Sequence, residues 1–110
     1  MIDKREAFSE ADQQVANFAK ALSHPARVSI LRYLSTQKSC ICGDIVEELP
    51  LAQSTVSQHL KELKLVGLIK GSIEGNSICY CIDSEIFELL KNMLSSFTSD
   101  IEVSNQINCC

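Results

Sequence analysis

Along this 110-residue chain the apolar residues change period twice. As far as Val66 they recur at helical spacing, from Leu68 to Ile82 they fit two short strands, and from Ile86 helical spacing returns. Such a chain folds as helices with one β-hairpin set before the last of them. The first predicted helix covers 9–22, with Ser9 as N-cap, Glu10 and Asp12 in its first turn, and Val15, Phe18, Ala19 and Leu22 as its apolar stripe. Ser23-His24-Pro25 breaks it and opens a second helix, in which Val28, Ile30, Leu31 and Leu34 form a stripe ending near Thr36. Residues 37–41 read as a polar connection. A third helix is expected from Cys42 to Leu49, stopped by Pro50, and a fourth from Gln53 to Val66, closed by Gly67. Two short helices joined by a tight turn form a helix-turn-helix pattern. Residues 68–73 and 77–82 then read as strands around a Glu74-Gly75-Asn76 turn, and 84–97 as a final helix capped by Ser84. The expected fold is therefore mainly α with a β-hairpin wing, a winged helix-turn-helix in the order α-α-α-α-β-β-α. One domain covers 1–98, and a flexible tail, 99–110, ends in Asn108-Cys109-Cys110.

The net charge of −4 argues against loose attraction to polyanions, because phosphate binding is largely electrostatic. Its distribution narrows that conclusion. Residues 59–70 carry His59, Lys61, Lys64 and Lys70 against the single acid Glu62, while acids gather in 3–12, 44–48, 83–88 and 100–102. A weakly basic stripe on an acidic body suits specific, readily reversed binding of DNA. No apolar run approaches the roughly 18 residues a membrane span needs. The charged opening Met1-Ile2-Asp3-Lys4-Arg5-Glu6 lacks a secretory pattern, so a cytoplasmic setting with reduced thiols is expected. There, the six cysteines at 40, 42, 79, 81, 109 and 110 mean metal ligation, redox sensing or core filling. An enzyme is disfavoured, since there is no acid pair or glycine-rich phosphate loop, and His24 and His59 have no evident nucleophile partner.

On the fourth predicted helix Val56, Leu60 and Leu63 face the core by periodicity, which turns Gln53, Ser54, Thr55, Ser57, Gln58 and Lys61 outward. Short hydroxyl and amide side chains near the start of such a helix reach base edges or phosphates. Gln58 suits adenine, and Lys61 and Lys64 suit phosphates. His59 borders both faces and is a candidate phosphate donor. The plainer reading, a solvated amphipathic helix, accounts for the same periodicity equally well.

Two segments carry a family resemblance. Ser54-Thr55-Val56-Ser57-Gln58-His59-Leu60-Lys61-Glu62-Leu63, followed by Val66-Gly67-Leu68-Ile69, resembles the helix-turn-helix signature of ArsR-type metalloregulators. Ala21-Leu22-Ser23-His24-Pro25-Ala26-Arg27-Val28-Ser29-Ile30-Leu31 resembles the opening of that family's second helix, and the likeness spans roughly 15–90. The resemblance implies a homodimeric winged helix whose terminal helices pair and whose two recognition helices read palindromic double-stranded operator DNA. Similar proteins often place a basic residue near the wing tip, where this chain has Glu74-Gly75-Asn76-Ser77.

Cys40-Ile41-Cys42 stands just before the reading helix and resembles the thiolate site of the family's arsenic and cadmium sensors. In a regular helix residues two apart point to nearly opposite sides, so both thiols meet one ion only where the segment is irregular, which Gly43 permits. Thiolates select soft ions: arsenite or antimonite as inducer, with cadmium, lead or zinc as alternatives. Arsenic sensors often add a third cysteine one turn on, where this chain has Ile45, and Cys109 and Cys110 are the candidates to complete the site. Cys79 and Cys81 share one face of a wing strand and read better as small core residues than as ligands. The family's nitrogen-and-oxygen site on the last helix is not expected, because no histidine follows His59. The functional expectation is a dimeric repressor that leaves its operator when an ion binds cysteine thiolates. The alternatives are a repressor of the same fold triggered by oxidation or persulfidation, and a thiol-rich metal buffer without a DNA role.

Overall fold

The computed structural model describes residues 7–42, 49–75 and 77–103. Helix α1 (Glu10–Ala21) begins as its sequence predicts, with the Ser9 hydroxyl accepting from the Asp12 N–H at 3.1 Å and Glu10 and Asp12 in the first turn. Its inward face holds Phe18 and Ala21, whereas Ala19 is exposed. Helix α2 (Pro25–Ser35) is capped by a histidine: the Ala26 N–H donates to His24 Nδ1 at 3.0 Å, and Pro25 occupies the first turn.

The chain then departs from expectation. Ile41–Cys42 forms a short strand, β1, so Cys42 does not start a helix, and the rest of the predicted third helix (43–48) lies outside the described residues. The reading helix is α3 (Gln53–Leu65). It ends in a Schellman turn: the Gly67 N–H donates to Lys64 C=O at 3.0 Å and the Leu68 N–H to Leu63 C=O at 3.1 Å. Gly67 stands at φ +84°, a conformation that disfavours any side chain, and this reversal feeds the chain directly into the wing.

Strands β2 (Ile69–Glu74) and β3 (Ser77–Ile82) form the expected hairpin, turning at Gly75 with φ +61°. The hairpin is not alone, because β1 adds to its far side and gives the sheet order β1-β3-β2. Helix α4 (Ser84–Asp100) runs three residues past its predicted end, and its cap is Asp83, whose carboxylate accepts from the Glu85 and Ile86 N–H groups. Asp83 wins over Ser84 because an ionised cap adds favourable charge at the helix N-terminus.

Ile30, Leu31, Leu34, Val56, Leu60 and Leu63 bring α2 and α3 together, while Phe18, Leu68, Ile69 and Leu90 draw in α1, the wing base and α4. Among the described residues no helix is long and apolar enough to cross a membrane.

Candidate DNA interface and thiol cluster

Burial sorts α3 into two faces. Val56, Leu60 and Leu63 are buried, and Gln53, Ser54, Thr55, Ser57, Gln58, Lys61 and Lys64 are all exposed. Ala52 provides no side-chain cap, so the first-turn N–H groups lack a side-chain partner at the end where short polar residues collect. Gln58 is held only loosely, with its amide donating to Glu62 at 3.4 Å. Lys64 leans toward the wing, its ammonium 3.5 Å from where a Cβ on Gly71 would lie.

His59 departs from the outward set. It is 7% exposed, and Nδ1 accepts from the Arg27 Nε–H at 3.1 Å. Its ring meets the ring of His24 at 4.3 Å between centroids, and Arg27 also donates to Lys20 C=O at 3.1 Å. His59 therefore ties the reading helix to the α1–α2 corner and is not placed among the exposed candidates for phosphate contact. With Nδ1 accepting, the neutral ring carries its proton on Nε2. Burial, and next the neighbouring His24 and Arg27, lower its pKa below the usual 6.5.

The sign of the resulting pH dependence follows. A histidine depressed in the fold binds its proton more readily when unfolded, so its stabilising contribution is complete above about pH 6.5 and declines as pH falls through that value. Thermal melts between pH 7.5 and 5 are expected to show this decline in the natural chain. In His59→Gln it should be smaller by the share of one proton, and equal slopes would remove His59 as the source.

The cysteines are arranged differently from the helix-based expectation. On a strand, residues two apart share a face, which removes the geometric difficulty that a helical Cys40-Ile41-Cys42 would pose. Ile41 pairs with Tyr80 and Cys42 with Cys79 in the antiparallel ladder, and Cys40 is disulfide-bonded to Cys81, their Cα atoms 4.5 Å apart. Cys79 is likewise disulfide-bonded. On the other side of β3, Lys70 stands opposite Cys81 and Ser72 opposite Cys79. The rows therefore read Cys40–Cys81–Lys70 and Cys42–Cys79–Ser72 across the sheet. Cys79 is 1% exposed, which fits the core-filling expectation for that residue, but Cys81 is half-buried and lines an open groove with Cys40, Lys38 and Lys70. Plain core filling does not account for Cys81. The signal was present as two Cys-x-Cys units at strand period, but nothing in the sequence marked 41–42 as a strand able to pair them. Among the described side chains, no three metal-ligating groups already converge as a metal site. Cys109 and Cys110 lie outside the described residues.

A family profile described as bacterial regulatory protein, arsR family, matches residues 24–70, from the cap of α2 through the reading helix into the wing. An uncharacterized HTH-type transcriptional regulator of Methanocaldococcus jannaschii is 36% identical over 84 residues, which span 74% of this chain and 93% of that protein. The chain belongs to the arsR family. The arsenical resistance operon repressor of Staphylococcus xylosus is 32% identical over 89 residues, covering 80% of this chain and 85% of that repressor. The fold agrees with that of an ArsR-like transcriptional regulator from a Rhodococcus species at TM-score 0.68 and 20% identity, over 84% of this chain and 86% of the other. This arsR-family chain is accordingly a winged-helix transcriptional regulator.

Proposed function

We propose that this protein is a homodimeric repressor that holds operator DNA through α3 and lets go when a thiophilic ion, arsenite or antimonite foremost, binds the thiolates of Cys40 and Cys42. The observation that carries the reading is the placement of a Cys-x-Cys strand in the chain leading into the reading helix. Gln53, Ser54, Thr55, Ser57 and Gln58 meet bases and phosphates in the major groove, and Lys61 and Lys64 meet phosphates. His59 supports the helix from behind. Exposed apolar residues at Phe8, just before α1, at Leu89 and Phe97 on α4, and at Ile101 at its end offer these terminal helices as the pairing surface of the dimer. The arsenical relative supports the choice of inducer, with cadmium, lead and zinc as the alternatives. Cys109 and Cys110 remain available as further ligands from the tail.

Ion binding at β1 restrains the segment between β1 and α3, and a coupling of 1–3 kcal/mol is enough to weaken DNA binding by roughly 5- to 150-fold. In a gel-shift titration the reduced natural chain is expected to leave its promoter as arsenite rises, and Cys40→Ser and Cys42→Ser to stay bound. Release of both variants at natural-chain doses would overturn the assignment.

The Cys40–Cys81 bond favours a second reading, in which oxidation is the trigger. Two thiols give a disulfide, and their two electrons and two protons reduce a peroxide to water or an alcohol. Release of DNA by peroxide and not by arsenite would favour it. A metal buffer without a DNA role is opposed by the exposed polar row Gln53, Ser54, Thr55, Ser57, Gln58 and Lys61 on α3.

A further inference from the structure

Each Cys-x-Cys unit has a partner across the ladder. We infer that in the reduced chain Cys79 and Cys81 of the wing complete the soft-ion site that Cys40 and Cys42 begin, within one protomer. The inference rests on the thiol-sensing reading above and changes which residues do the sensing: the wing strand takes the place assigned to the tail.

Four observations support it. The register sets Cys42 opposite Cys79 and Cys40 beside Cys81, with the Ile41–Tyr80 pair between them, so four cysteines occupy alternate rungs on one face of the sheet. Cys40 and Cys81, close enough to bond sulfur to sulfur, need only small rotations to reach the separation of about 3.8 Å that a tetrahedral ion with metal–sulfur bonds near 2.3 Å requires. Lys38 and Lys70 line the same groove as Cys40 and Cys81, and neighbouring cations favour thiolate over thiol. The balance of charge also fits. Four thiols shed four protons on binding a divalent cation, leaving an excess of two negative charges beside two lysines. Arsenite, as arsenous acid, condenses with three of the thiols, releases three waters and leaves no net charge.

A site of this kind explains how an ion would act on DNA. It fastens the strand before the reading helix to the central strand of the wing, so one event restrains both elements that flank the duplex.

The test uses the full reduced chain with cadmium and, separately, arsenite as probes. Ion-dependent protection from alkylation is mapped by mass spectrometry, and release of promoter DNA is followed in parallel. Cadmium is expected to protect Cys40, Cys42, Cys79 and Cys81, and arsenite three of these, while Cys109 and Cys110 stay reactive. Cys81→Ser should weaken cadmium binding, which uses all four thiols, at least tenfold, and Cys109→Ser/Cys110→Ser should bind as the natural chain does. Should Cys79→Ser fail to fold, the protection map of the natural chain still decides. Protection of the tail with the wing thiols left reactive overturns the inference, as does unchanged cadmium binding by Cys81→Ser. Protection of the four strand thiols without release of DNA upholds the site and overturns the repressor mechanism instead.

Discussion

Leu63→Ala is expected to cost the fold about 2–5 kcal/mol, the usual range for removing a buried leucine side chain. Leu63 is fully buried at 0% exposure, packed in the cluster that joins α2 and α3 to the wing base. Its carbonyl also accepts the Leu68 N–H that closes the Schellman turn, so the residue sits where helix packing and chain reversal meet. Small domains are typically stable by only about 5–15 kcal/mol, so a loss of this size is a large fraction of the total. Urea melts monitored by circular dichroism would show the midpoint shift. A change below about 1 kcal/mol would mean the core relaxes around the missing atoms, contrary to the close packing described.

The second large effect concerns DNA. Lys61→Glu/Lys64→Glu is expected to weaken promoter binding more than about a hundredfold at physiological salt, because reversed charges replace phosphate contacts on both protomers of a dimer. The dependence of log K on log salt should flatten by roughly one unit per contact removed. Both lysines are exposed, so the melting temperature should scarcely move. That combination separates loss of contact from loss of fold. A double variant that binds its promoter normally would exclude α3 as the element facing the phosphates.

The helices and hairpin were legible because their signals are local. Ser9, Pro25, Gly67 and Gly75 each mark a boundary through backbone or capping chemistry that needs no distant partner. The exposed face of α3 was legible for the same reason, since burial follows the helical period. What escaped was long-range. A two-residue strand has no periodicity to detect, and β1 forms only because β3 presents an open edge to Ile41 and Cys42. Without β1 the partnership between the two Cys-x-Cys units is invisible in the sequence, and Cys81 reads as a packing residue. The surroundings of His59 are hidden from the sequence on similar grounds. Its position on the helix wheel is borderline, and the matter is decided by Arg27 and His24, more than thirty residues upstream.

The hairpin is graded along its length. The sulfur-bearing rungs lie toward its root, and one rung beyond Cys79 the pair Ile73 and Ile78 stands beside the Glu74-Gly75 reversal, on the opposite face of the sheet from the cysteines. Insertions or charge swaps at that outer end should therefore be tolerated without touching ion chemistry. Lineages carrying this architecture are free to retune how firmly the hairpin grips a promoter while keeping the same chemical trigger.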